Sequence, residues 1–309
     1  MLYKNINKTE PLTLFLLLFM MFVWSIVYMS FIDTSPWISD NFWLIILGGF
    51  IYVFTILLYQ HTLRKYYLSE NGYLTLFIIL LLSFSFPEVL ILDRIILAFV
   101  AHMFMLRHIL NLNNNNTINL DLFDAGMFSG ISFLLFPQSV LFFLLIYIGY
   151  LVFVKFIDQR IFIPIIGFVS PVFLWIVYQV LIDEPLEIFN RLGFNSINLS
   201  SLNFKDNFYL ILGFFSILIT ISAIVFIKKT LMASNVDDQK YKLLFPGFFI
   251  GLVVVLSSLS QHKNSLIFIF LPTAVLLSFW MKTLKKYWLK EVVLWIIVLI
   301  SFWQILIRF

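Results

Sequence analysis

Long apolar runs joined by short polar segments make up most of this sequence. A chain in lipid has no water to satisfy its backbone N–H and C=O groups, so such runs form helices or a closed barrel. The two-residue alternation of a membrane barrel is missing here. We therefore predict an all-α fold, a polytopic transmembrane helical bundle with about 11 spans. The spans are placed at residues 11–30, 42–60, 73–86, 89–110, 122–136, 138–154, 161–182, 208–227, 243–259, 264–281 and 290–307.

Two of these runs, residues 73–86 and 122–136, are short, and each ends at a proline, Pro87 or Pro137. At a rise of about 1.5 Å per residue they reach about 21 to 22 Å, less than a hydrocarbon core of about 30 Å. Proline lacks a backbone donor and ends the helix that precedes it. We predict that both helices stop inside the protein and turn there.

The distribution of positive charge predicts the orientation of the bundle. If successive connections alternate between two sides, one side holds fifteen of the 20 Lys and Arg residues. The positive-inside rule makes that side cytoplasmic, so the N-terminus is in and the C-terminus is out. The other side keeps five cations, which are Arg94, Arg191, Lys205, Lys263 and Arg308.

The composition supports a location in a membrane and argues against nucleic acid as a partner. The chain is 62% hydrophobic and 12% charged, with 38 Phe, which is far more apolar than a soluble domain. The net charge of +4 comes from cations beside helix ends, so we expect no nucleic-acid partner. We expect one integral membrane domain over residues 1–309, in the cytoplasmic (inner) membrane, with its longest outer loop at 183–207.

Asp33 follows the first span in the segment Asp33-Thr34-Ser35-Pro36-Trp37. One interpretation is a helix start, because Asp33, Thr34 or Ser35 can cap a short helix that has Pro36 at its first position. The other makes Asp33 a general base or a metal-positioning carboxylate at the membrane surface. Asp40, further along the same loop, is a supporting acid in that second interpretation.

Glu88, Asp93 and Arg94 open the fourth span, where charge is costly and has to face protein or water. An ion pair of Arg94 with either acid is a structural interpretation. In the alternative, Arg94 grips a phosphate with its planar guanidinium while an acid works beside it.

His262 and Lys263 stand in a short polar loop between two apolar runs. The loop is either a solvated turn or a binding site for a lipid phosphate, in which His262 can also move a proton near neutral pH.

The four histidines do not predict a metal centre. The topology places His61 and His108 toward the cytoplasm, His102 within the bilayer and His262 outside. Since these side chains cannot meet, we predict no histidine-ligated metal. A metal held by outward carboxylates would be a hard cation such as Mg²⁺ or Mn²⁺.

Two stretches resemble the GT-C superfamily of membrane glycosyltransferases, which use polyprenyl-phosphate sugar donors. The first runs from Asp124 to Gln138 and places two glycines four residues apart before a long apolar helix. The second, from His262 to Leu277, is similar to the superfamily's outward basic turn followed by a helix with a central proline. The whole chain also looks like an uncharacterised bacterial multi-pass family of similar length.

The GT-C resemblance implies a glycosyltransferase that works at the outer face of the membrane. It implies that Asp33 is the catalytic base and that Lys263 and His262, to which we add Arg94, hold the carrier phosphate. Asp40, Glu88 and Asp93 are the supporting acids. The alternative is a noncatalytic scaffold or transport subunit of a larger envelope complex, with membrane protein partners.

Overall fold

The computed structural model describes residues 11–31, 42–65, 73–90, 92–113, 117–154, 158–182, 207–232, 239–259 and 262–308. These residues form eleven α-helices and no strand. Each α-helix overlaps one of the predicted apolar runs, which confirms the all-α prediction. Four short 3₁₀ helices, at Pro87–Leu90, Pro137–Phe142, Gln159–Phe162 and Lys263–Leu266, adjoin or link them.

The α-helices are numbered in chain order. They are α1 Pro11–Phe31, α2 Phe42–Lys65, α3 Leu74–Ser85, α4 Arg94–Asn111, α5 Ile118–Leu135, α6 Phe143–Phe153, α7 Ile163–Leu181, α8 Asn207–Met232, α9 Gln239–Ser258, α10 Ile267–Thr283 and α11 Tyr287–Arg308.

Five stretches of helix are long and apolar enough to cross a membrane, at Ile46–Lys65, Arg94–Asn111, Ile118–Leu135, Gln159–Leu181 and Lys263–Thr283. Five shorter apolar helices accompany them among the described residues. The chain is therefore a helical membrane-associated protein by length and composition. A crossing by all eleven helices stays a prediction.

Several helices differ from the predicted spans by four or five residues at one end, and two of these differences affect polar clusters. Helix α5 begins at Ile118, not at residue 122, and its 18 residues reach about 27 Å at the usual rise. The predicted span left out the first turn of α5. This turn contains Asp121, whose side chain is buried and hydrogen-bonded. Helix α4 begins at Arg94, not at residue 89, because Asp93 adopts an extended backbone and caps it.

The two proline boundaries are confirmed. Helix α3 ends at Ser85, and helix α5 ends at Leu135, in each case two residues before the proline. A 3₁₀ helix begins at Pro87 and another at Pro137, where the missing N–H costs no hydrogen bond. As a result, the predicted span 138–154 is divided between the 3₁₀ helix Pro137–Phe142 and the short helix α6.

The chain divides into two compact units. Unit 1 contains Met1–Leu92, Leu199–Ser234 and Ile269–Phe309, and unit 2 contains Asp93–Asn198 and Asn235–Phe268. Within unit 1, the short helix α3 is buried along almost its whole length. Its hydroxyls make polar links to α11, where the Ser85 and Ser301 hydroxyls lie 2.9 Å apart and Ser301 also donates to the Leu81 carbonyl. These links satisfy polar groups that lipid could not.

Within unit 2, helices α5 and α7 approach so closely that glycine is needed at the contact. A Cβ atom on Gly126 would collide with the Pro164 carbonyl, and one on Gly167 would collide with the Phe123 carbonyl. Small residues that let two backbones meet are a common device for joining membrane helices. The glycine spacing in the stretch from Asp124 to Gln138 thus has a packing role in this fold.

Candidate functional site

The N-terminal end of α4 carries the first polar cluster, which we call the Asp93 end. One carboxylate oxygen of Asp93 accepts a hydrogen bond from the Arg94 backbone N–H at 2.6 Å. The other oxygen accepts one from the Asn264 amide at 3.3 Å. Asn264 belongs to the 3₁₀ helix Lys263–Leu266, so Asp93 joins the start of α4 to this second segment.

The three cations predicted to hold a phosphate all lie in these two segments. Arg94 and His262 are exposed, and Lys263 is half-buried. The turn that carries His262 and Lys263 is held by a hydrogen bond, in which the Ser265 hydroxyl donates to the His262 carbonyl at 2.8 Å. The His262 ring meets the edge of Phe136, with the ring centres 6.4 Å apart. The structure therefore brings together the segments that carry Arg94, His262 and Lys263.

The predicted ion pair of Arg94 with Asp93 is absent from the part of the chain that the structure describes. Asp93 acts instead as a cap through the backbone of Arg94. Glu88 lies in the 3₁₀ helix Pro87–Leu90 and belongs to unit 1. Asp33, Asp40 and nearly all of the 183–207 loop lie outside the described residues.

His102 is a buried polar residue in the middle of α4. It is 4% exposed, and its ring contacts Phe142, Phe268 and Phe99, with ring centres 4.0, 5.6 and 6.3 Å away. Its Nδ1 atom has no hydrogen-bond partner among the described residues. Aromatic contacts therefore hold this ring in place.

The C-terminal end of α4 carries a second polar cluster, which we call the Asn111 end. At its centre is the carboxylate of Asp121, which lies in the first turn of α5 and is 5% exposed. One of its oxygens lies 2.9 Å from His108 Nδ1. Its other oxygen accepts hydrogen bonds from the Asn111 amide at 2.6 Å and from the Thr117 hydroxyl at 2.7 Å. This acid therefore has three partners from α4 and the α4–α5 turn.

The His108 ring is positioned by aromatic contacts as well as by Asp121. It stacks on Phe128 with ring centres 5.7 Å apart and an angle of 15°. Phe128 in turn stacks on Phe104 at 5.1 Å. A second acid, Asp124, lies 3.8 Å from His108 Nδ1 and is more exposed than Asp121. The imidazole thus has a defined plane and a defined carboxylate partner.

Sequence reasoning missed the Asn111 end, although a weak signal was present. His108 and Asn111 are three residues apart on one helix, and Thr117 and Asp121 are four residues apart at the start of the next. Both spacings put side chains on one helix face. A short turn between two helices then brings the two faces together.

A third polar contact, between α6 and α7, involves an exposed acid. Asp158 accepts hydrogen bonds from the Tyr150 hydroxyl and from the Arg160 backbone N–H, the latter at 3.0 Å. Its carboxylate also lies 3.3 Å from the Arg160 guanidinium. The Tyr150 hydrogen bond, helped by Arg160, lowers the pKa of Asp158 below its usual value. This contact links the ends of two helices.

The described residues contain no group of three or more His, Asp, Glu or Cys side chains arranged to hold a metal ion. At the Asn111 end, His108 and two acids are close, but Asp121 is already occupied by three partners.

Apolar helices able to span a bilayer, with polar clusters confined to helix ends, define the class as a helical membrane protein. Within that class the chain belongs to a family of unknown function, DUF6427, whose sequence pattern matches residues 11–308. No curated protein and no solved structure shows significant similarity to the chain. The resemblance to GT-C glycosyltransferases accordingly stays a prediction.

Proposed function

We propose that this protein binds a polyprenyl-phosphate lipid at the outer face of the bacterial cytoplasmic membrane. Arg94, Lys263 and His262 hold the phosphate. One observation carries the proposal: the Asp93–Asn264 hydrogen bond joins the two segments that contain these three residues. Both segments belong to unit 2, so the site lies within one compact part of the chain.

The chemistry of the Asp93 end suits a phosphate monoester or diester. A guanidinium presents two parallel N–H donors that match two phosphate oxygens, and an ammonium adds a compact positive charge. The N-terminus of α4 lies at the same place, and the backbone dipole there favours an anion. Asp93 neutralises part of this charge, but its two oxygens are both engaged, by the Arg94 backbone and by Asn264.

The glycosyltransferase hypothesis is the enzymatic form of this proposal. In it, Asp33 is the catalytic base, Asp40 and Glu88 are supporting acids, and Mg²⁺ or Mn²⁺ is a candidate cofactor at carboxylates. The alternative is a noncatalytic scaffold or transport subunit that holds the lipid and contacts membrane protein partners. The use of Asp93 as a helix cap favours this alternative, because it engages one of the acids that an enzyme would use.

The phosphate site is tested with an Arg94→Ala, Lys263→Ala double variant purified in detergent. We expect the variant to remain monodisperse and to lose most of the polyprenyl phosphate that copurifies with the parent, as measured by native mass spectrometry. Neither side chain is fully buried, so the fold should be retained.

A Lys285→Ala, Lys286→Ala double variant is the matched control. It removes the same charge from exposed cations that we predict to lie on the cytoplasmic side, and it should keep the lipid. If the parent and the Arg94→Ala, Lys263→Ala variant carried the same amount of polyprenyl phosphate, the lipid would be bound elsewhere on the protein. If neither protein carried any, the proposed ligand would be wrong. Asp33→Asn separates the two forms of the proposal, since it should keep the lipid in both and abolish sugar transfer only in an enzyme.

A further inference from the structure

The Asn111 end points to a second site, distinct from the proposed phosphate site. We propose that His108 Nε2 is an oriented proton acceptor for a ligand that carries a hydroxyl group. When a proton is transferred, the ligand O–H bond breaks and its electron pair stays on oxygen. The new N–H bond forms at Nε2, and the imidazolium is balanced by the Asp121 carboxylate 2.9 Å from Nδ1.

The hydrogen-bond pattern around Asp121 determines which ring nitrogen carries the proton. The Asn111 amide nitrogen can only donate to the carboxylate, and the Thr117 hydroxyl also donates because it accepts from Asn111 at 3.3 Å. Both donors meet one carboxylate oxygen, so the other oxygen is left to accept from His108 Nδ1. A neutral imidazole with its proton on Nδ1 has a lone pair on Nε2. The Asp121 contacts thus leave Nε2 as the basic atom.

The surroundings of His108 leave that basic atom available. Among the described residues Nε2 has no hydrogen-bond partner, and the side chain is 23% exposed, compared with 6% for Asp121. Stacking on Phe128 fixes the plane of the ring, so Nε2 has a constant direction. A histidine that only linked α4 to α5 would need the contact at Nδ1 and would need no orientation of Nε2.

A carboxylate that holds one nitrogen of an imidazole while the other faces a ligand is the arrangement of a general base or of a metal ligand. The base is the better interpretation here, because the described residues offer no set of three metal ligands. The site is also remote from Arg94. His108 comes fourteen positions after Arg94, which corresponds to about 21 Å along the helix.

The proposal is tested on the full-length protein in detergent, labelled with ¹⁵N-histidine. At a mildly alkaline pH, where an ordinary imidazole is neutral, we expect His108 to show a protonated Nδ1 and an unprotonated Nε2. We also expect diethyl pyrocarbonate, which acylates the unprotonated nitrogen, to modify His108 in the folded protein. The exposed His262 is an internal reference for reagent access.

Asp121→Asn gives the sharpest comparison. Asn111 and Thr117 should select the amide oxygen of the new residue, which turns its NH₂ group toward His108 Nδ1. Nδ1 must then accept, the proton moves to Nε2, and the Nε2 resonance shifts from the unprotonated to the protonated range. Acylation of His108 should fall at least about tenfold, since the wrong tautomer cannot react.

Asp124→Asn is the matched control, because Asp124 lies 3.8 Å from the same nitrogen, beyond hydrogen-bond distance. It should change neither the tautomer nor the reactivity. A parent protein with its proton on Nε2, or with an unreactive His108 beside a reactive His262, would overturn the proposal and make His108 a structural link only. This result is decisive even if the Asp121→Asn variant does not fold.

Discussion

The two ends of helix α4 carry polar clusters of opposite character. At the Asp93 end the acid is partly exposed, bonds to one backbone N–H and one amide, and stands beside an exposed Arg94. At the Asn111 end the acid Asp121 is buried, and three side chains bond to it. The Asp93 end presents charged side chains that a ligand can contact. The Asn111 end buries its carboxylate and presents a single imidazole nitrogen.

This difference makes the Asp93 end better suited to anion binding and the Asn111 end better suited to proton transfer. A guanidinium and an ammonium attract an anion but do not set the direction of a proton. A buried carboxylate with three donors fixes the tautomer of its histidine partner, although it contributes no free charge. Our two proposals therefore differ in their ligand, a phosphate at the Asp93 end and a hydroxyl group at the Asn111 end.

The largest expected effect on this comparison comes from Asp121→Ala. The change leaves the partly buried side chains of His108, Asn111 and Thr117 without their common acceptor, and the loss of three hydrogen bonds to one carboxylate is costly. We expect the free energy of unfolding to fall by about 2 to 4 kcal/mol. The measurement is denaturant unfolding in detergent micelles. Asp124→Ala should cost less than about 0.5 kcal/mol, and an equal loss from the two variants would contradict the role given to Asp121.

A smaller effect is expected from Asp93→Ala at the opposite end. It removes the cap of α4 and the link to Asn264, both of which are partly exposed to solvent. The expected loss is about 1 kcal/mol in the same unfolding measurement. Asp93→Asn should recover most of it, because an amide oxygen can still cap the helix. If Asp93→Ala cost as much as Asp121→Ala, the contrast between the ends would be wrong.

Hydrophobic pattern predicted most of the fold. Long apolar runs indicate helices directly, and Pro87 and Pro137 mark two helix ends because proline lacks a donor. The start of α5 was missed because Asn119 and Asp121 interrupt the apolar pattern, and hydrogen bonds that the sequence does not reveal accompany the burial of Asp121. The close approach of α5 and α7 at Gly126 and Gly167 could not be predicted from single residues either, since it depends on which two helices meet.

The candidate sites were predicted unevenly. Arg94, His262 and Lys263 stand out as rare polar residues in an apolar sequence, and the structure brings their segments together. The His108–Asp121 pair did not stand out, because both residues lie beside the asparagine-rich turn between α4 and α5 and look like ordinary turn residues. Their pairing depends on the geometry of that turn, which single-residue chemistry does not contain.

The central claim is that α4 crosses the membrane and presents its two ends to opposite sides. The chain has no cysteine, so single cysteines report position without background. His262→Cys, near the Asp93 end, and Asn113→Cys, just beyond the Asn111 end, both replace exposed residues. In intact cells a membrane-impermeant maleimide should label the cysteine at 262 and should label the one at 113 only after permeabilisation. Labelling of both positions from the same side would contradict the account.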